Sequence, residues 1–179
     1  MKSDLDLNAA LVERLIAREG GFVDNPHDRG GATNRGITIP TFITWRKKIR
    51  GYVPPTTTMA REAIRALSRQ EAADIYRVMF LERHRLDGIH VEHLREHVLD
   101  AVVLHPARTA IRWLQRAVGV KPDGIVGPVT LSAVNTSDDE ELSVAFFKRR
   151  MAYIARIVAR DPRQARFLRG WTGRATSFI

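Results

Sequence analysis

A chain of 179 residues is long enough to bury a core without covalent staples, and with no cysteine it has none. That composition excludes thiol nucleophiles, cysteine-ligated zinc and iron–sulfur clusters, leaving carboxylates, histidines and hydroxyls for any chemistry. A formal charge of +9 directs the surface toward polyanions, without choosing among nucleic acid, anionic lipid and acidic wall polymer.

Leu7, Leu11 and Leu15 recur every four residues, with Val12 and Ile16 beside them, which predicts a helix from Ser3 or Asp4 to Gly20-Gly21. These apolar residues lie among charges, so the segment is not of signal-peptide type, and no run elsewhere is long enough to span a bilayer. Synthesis as a soluble chain in the cytoplasm is the expectation. Residues 22–38 lack periodicity and are crowded with Gly, Asn, Asp and Pro, which predicts a turn-rich flap with at most a short hairpin. Pro40 suits the first turn of a second helix running to about Arg50, and residues 51–58, with Pro54-Pro55, read as a connection.

Ser68 and Glu71 form a capping-box pattern opening a helix through Ile75, Tyr76, Met79 and Phe80. A further helix is predicted over residues 91–104. Its last stretch, from Val98 to Leu104, is apolar nearly all round and belongs in the interior. Pro106 starts the next helix, buried through Ile111, Leu114 and Val118. Residues 121–128 form a turn-rich lead into a short helix through Leu131. The final helix carries Val144, Phe147, Met151, Ile154 and Val158 at steps of three and four, the spacing of a packed face. The densest cation stretch, residues 148–174, reads as a solvated helical face. The fold class is therefore mostly α.

The segment from Glu19 to Thr38 carries the chemistry. Glu19 ends the first helix, where the dipole and free carbonyls disfavour a further negative charge, the setting a general acid needs. Gly20 and Gly21 permit a sharp turn and leave room for a bulky substrate. Glycosidases generally use two carboxylates, and Asp28, then Asp24, are the candidates for the second. Thr33, Asn34 and Thr38 can hydrogen-bond sugar hydroxyls and acetamido groups. Glu19 could equally be solvated at a helix end, Asp24 and Asn34 turn formers, and Thr38 an N-cap.

Together, Glu19, Gly20, Gly21, Phe22, Pro26, Asp28, Gly30, Gly31, Thr33, Gly36, Ile37 and Thr38 fill fixed positions of one motif, and the chain resembles glycoside hydrolase family 108, the N-acetylmuramidases that include phage endolysins and proteins called secretion activators. The resemblance implies a lysozyme-like helical fold with Glu19 as the catalytic acid. It continues through Tyr76, a candidate substrate contact, through Phe80 and through Asp100. There the chain departs, since Leu104-His105-Pro106 replaces the family's Asn-Ser-Gly. Residues 114–119 and 123–131 resemble the helical peptidoglycan-binding module found behind this catalytic region, although turn and helix-start chemistry explains Asp123-Gly124 and Gly127-Pro128 as well. Gly170-Trp171 resembles the family's terminal segment.

The implied organisation is a muramidase region over residues 1–97 and a peptidoglycan-binding-like module over residues 98–179. The implied reaction is hydrolysis of the β-1,4 bond between N-acetylmuramic acid and N-acetylglucosamine in the periplasm, with no cofactor or metal, by a monomer attracted to the anionic envelope. A lytic transglycosylase also works with one glutamate. His93-Leu94-Arg95-Glu96-His97 has the spacing of a zinc peptidase, but no third ligand is identifiable, and solvated histidines on an outer face are expected instead. A basic nucleic-acid-binding helical protein is the rival from another class; no reading module supports it, and no specific nucleic-acid partner is expected.

Overall fold

The computed structural model describes residues 4–24 and 31–179. They form nine α-helices and one two-stranded antiparallel hairpin, and the chain divides into two compact units, residues 1–83 and 84–179. The expected division after residue 97 would cut through a continuous helix.

In the first unit, α1 (Asp4–Arg18) buries Leu11, Val12, Leu15 and Ile16 and packs on α4 (Arg69–Tyr76). The hairpin pairs β1 (Thr33–Asn34) with β2 (Ile37–Thr38) in the register Thr33 opposite Thr38 and Asn34 opposite Ile37. That register leaves a two-residue turn, Arg35-Gly36, with φ of 51° and 73°. Two consecutive positive φ values define the turn whose twist suits a tight hairpin.

Thr38 ends the hairpin and caps α2 (Ile39–Arg50), its hydroxyl accepting from the Thr41 amide, while Gly51 closes the helix at φ 62°. The connection expected over residues 51–58 is shorter than predicted. Thr56 caps α3 (Thr57–Arg65), which buries Ala60 and Ile64 against α2 and β1. The capping box of Ser68 and Glu71 opens α4 as expected. After Tyr76 the backbone widens into a π-helical turn, Arg77–Glu82, where a continuous α-helix was predicted.

The second unit is built around α5 (Glu92–Leu104), buried without interruption from Leu94 to Val102. The apolar end was expected inside; the charged part was not. His97 is 1% exposed, stacked on Phe178 at 4.7 Å and edge-on to Phe146 at 4.7 Å, so it is a core residue and not an outer-face one. Its burial and the nearby Arg150 charge lower its pKa to about 3. His93 is exposed and meets the Ser143 hydroxyl at 3.0 Å. Arg95 is buried and donates from Nε to the Ile89 carbonyl at 2.7 Å.

Around α5 pack α6 (Ala107–Ala117) and α8 (Asp139–Arg160), with α7 (Pro128–Asn135) between them in sequence and α9 (Leu168–Thr176) against α8. The buried stripe of α8 is Leu142, Phe146, Arg150 and Ile154, one turn apart each. Of the predicted stripe Ile154 is buried, whereas Val144, Phe147, Met151 and Val158 are only half-buried, so the buried face is turned from the expected one and shares Ile154 with it.

Asp123-Gly124 is a structural turn. Gly124 has φ 80° and its amide donates to the Gln115 side-chain oxygen at 2.8 Å, while the Gln115 amide reaches Asp123 at 2.7 Å and the Ile125 carbonyl at 3.0 Å. Gln115 is 1% exposed, so this part of the module-like motif is a buried fastening between α6 and the following turn.

Candidate active site

The site is assembled in the first unit from the end of α1, the hairpin turn and the end of α4. Glu19 directly follows α1, its amide donating to the Ile16 carbonyl at 3.1 Å, and its side chain is half-buried. Neither Gly20 nor Gly21 has a positive φ, and a Cβ on either would meet nothing within 4 Å among the described residues. The sharp turn expected of them is not what glycine supplies here; the open space is.

From Gly21 the chain passes under the hairpin, where Val23 exchanges both backbone hydrogen bonds with Thr33 at 2.8 Å. This bridge fixes the hairpin over the residues that follow Glu19. Phe22 lies beneath the Arg65 guanidinium, 4.5 Å from it, and Asp24 faces Arg61 at 3.5 Å. At that separation Asp24 makes a charge contact without hydrogen-bond geometry, and one of its oxygens is buried without a hydrogen-bond partner among the described residues. Asp28, the first choice for the second carboxylate, lies outside the described residues.

The turn itself touches the candidate acid. A Cβ on Gly36 would stand 2.5 Å from Glu19 Oε2 and 2.6 Å from the Tyr76 hydroxyl oxygen, so both oxygens crowd the same point against the turn. Tyr76, fully buried, donates that hydroxyl to the Arg35 carbonyl at 2.8 Å. The phenol therefore holds the turn and borders the carboxylate at once. Phe80 packs on Tyr76 with ring centroids 5.6 Å apart, placing an aromatic pair at the junction of α4 with the π-helical turn. Widened turns of this kind recur at functional sites.

Three of the expected sugar contacts have structural partners. Asn34 is 6% exposed and donates its amide to the Ile64 and Arg65 carbonyls at 3.0 and 3.1 Å, satisfying the end of α3. Both amide hydrogens are thereby engaged, and the residue fastens the hairpin to α3. Thr38 is the α2 cap. Thr33 is half-buried in the strand, between Val23 and Thr38. Sequence reasoning counted Gly36 as a motif position but missed that it is the contact surface for Glu19 and Tyr76. Its signal was the two-residue span between Asn34 and Ile37, which only a tight turn can close.

Among the described residues no cluster of three or more His, Asp or Glu could hold a metal ion, and no helix is long and apolar enough to cross a membrane.

Residues 12–105 match the family model described as Glycosyl hydrolase 108, and residues 109–176 match one described as Predicted Peptidoglycan domain. The solved structure of Brucella abortus SagA is similar at 29% identity and a TM-score of 0.75, covering 96% of this chain and 90% of that one. The mostly α, lysozyme-like class expected from the sequence accords with that likeness. No curated protein matches the chain.

Proposed function

The chain belongs to the glycosyl hydrolase 108 family, and from that membership we propose that Glu19 is its general acid, protonating the bridging oxygen between N-acetylmuramic acid and N-acetylglucosamine. The protein is a glycoside hydrolase, and its two matched segments together make it a peptidoglycan hydrolase. The finer reading is carried by one observation: the Glu19 carboxyl lies against the Gly36 turn and the Tyr76 hydroxyl, with open space beside Gly20 and Gly21.

An acid must be held still relative to the bond it protonates, and a carboxyl between a backbone turn and a buried phenol has few alternative positions. The open side gives a glycan strand access. Asp28 is our first choice for the carboxylate that activates water and Asp24 the second, because Asp24 already faces Arg61. The hydroxyl of Thr33 is a candidate contact for the sugar, and Tyr76 acts on the site through the turn it holds.

The wall is the place of action in this reading, which puts the working enzyme in the periplasm. A groove of about 550 Å³ in the second unit, with Arg116, Lys148, Arg149 and Arg156 around Trp113, supplies part of the positive field that would draw it to an anionic envelope. The test is digestion of purified sacculi with product masses. Reducing N-acetylmuramic acid ends are expected, with release slowed strongly by Asp28→Asn; anhydro ends would make the protein a transglycosylase, and an unchanged Asp28→Asn rate would return that residue to loop structure.

A further inference from the structure

The second unit contains a cavity of about 190 Å³ lined by Leu104, His105, Arg150, Tyr153, Ile157 and Trp171, among others. Leu104, 41% exposed, stands at its rim and keeps it within reach of solvent. Most of the wall is hydrocarbon or aromatic surface. The exceptions are unusual: Arg150 is 1% exposed, and its Nε and Nη1 have no hydrogen-bond partner among the described residues, and neither has Nε2 of His105.

Among the described residues the one hydrogen-bond partner of the Arg150 side chain is Asp100, bound through Nη2 at 2.7 Å. Asp100 divides its two oxygens, the other accepting from Arg174 Nε at 2.7 Å. Arg150 therefore receives half of one carboxylate while lying in the core, where an incompletely paired guanidinium costs far more than at a surface. Burial works against its charge and Asp100 only partly offsets this. A buried cation with donors to spare at an apolar cavity is complementary to a single negative charge carried on a hydrocarbon body.

We propose that this cavity binds a carboxylate on a short apolar body, held by Arg150 and His105 and packed against Tyr153, Ile157 and Trp171. A monoanion fits better than a phosphate dianion, because only one guanidinium has unengaged donors and the walls would leave a second charge unsolvated. The neutral imidazole of His105 can present Nε2–H to an oxygen. The volume is enough for one small residue. Two sources carry this chemistry: the terminal carboxylate of a D-alanine peptide, which rests on the peptidoglycan reading above, and a free short-chain carboxylate, which does not.

Calorimetry on the full chain decides, using acetyl-D-alanyl-D-alanine, its C-terminal amide, and isobutyrate as probes. At least one carboxylate is expected to bind, the amide at least tenfold more weakly than the free acid peptide or not at all, and Ile157→Phe, which fills the cavity and leaves Arg150 in place, is expected to abolish the signal with helical content retained. Stronger binding of the peptide identifies the wall as the source, and stronger binding of isobutyrate a free carboxylate. The proposal is overturned if neither carboxylate binds, if the amide binds as well as the acid, or if a folded Ile157→Phe protein binds as wild type does. No glycan is present, so a negative result leaves the glycosidase reading standing, and Glu19→Gln should bind these probes unchanged.

Discussion

Gly36 has no room for a methyl group. An alanine there would meet Glu19 Oε2 and the Tyr76 hydroxyl at distances no relaxed Cβ tolerates, and would also hold a backbone φ of 73° that L side chains avoid at about 1 kcal/mol or more. The first cost falls on the carboxylate position, so Gly36→Ala should cut sacculus digestion by about tenfold or more, the equivalent of ~1.4 kcal/mol, while most of the fold survives. Wild-type turnover in that variant would show that the turn does not position Glu19. Asn34 makes the opposite prediction. Its amide bonds two carbonyls at the end of α3, and Asn34→Ala should lower unfolding stability by about 1–3 kcal/mol, measured in denaturant, because the hairpin loses both of its side-chain hydrogen bonds to that helix end. The identities of Glu19, Gly36 and Tyr76 were legible as motif members. Their mutual contact was not, since it depends on how a hairpin lies over a helix end.

Capping residues and breakers were the legible part at the scale of elements. Thr38 and Ser68 start helices where their hydroxyls can receive free amides, and the α5 end expected inside, Val98 to Leu104, is buried as far as Val102 while Leu104 is exposed. The misplacements share a cause, which is charge or polarity where the core demands neither. Helix α3 escaped notice because only Ala60 and Ile64 mark its buried side. Of the buried α8 stripe the sequence marks only Ile154, because Arg150 interrupts the apolar pattern, and His97 is expected outside because its neighbours on α5 are charged. Tertiary partners made these burials possible: Asp100 for Arg150, and Phe146 with Phe178 for His97.

Two histidines, the buried His97 and the half-buried His105, fix a pH dependence. His97 is lowered to about 3 and His105 to about 4, mainly by burial, from an ordinary value of 6.5. Between the lowered value and 6.5 the unfolded chain binds a proton that the folded chain does not, so stability rises with pH in that window and falls as the solution is acidified below 6.5. Each histidine contributes a slope of up to about 1.4 kcal/mol per pH unit. Thermal or denaturant unfolding followed from pH 7 to pH 4 should show this loss, and His97→Phe, which keeps a stacked ring and cannot titrate, should flatten it; an undiminished slope in that variant would place the titration elsewhere.

At the scale of the whole chain, the two compact units divide after residue 83, whereas the two family segments divide between residues 105 and 109. Residue 97 lies inside α5, which is buried on both sides of it from Leu94 to Val102. Composition excludes thiol chemistry and the charge directs the surface toward polyanions without choosing among them; the motif is what points to a glycoside hydrolase. The proposed reaction turns on the group at the end of α1. Its most direct test is the digestion of purified sacculi by wild type and by Glu19→Gln, with both proteins shown to be equally folded and the fragments identified by mass. Fragment release should fall by about 10²–10⁴ in the variant, the range expected for loss of a general acid; release of the same fragments at the wild-type rate would contradict the assignment.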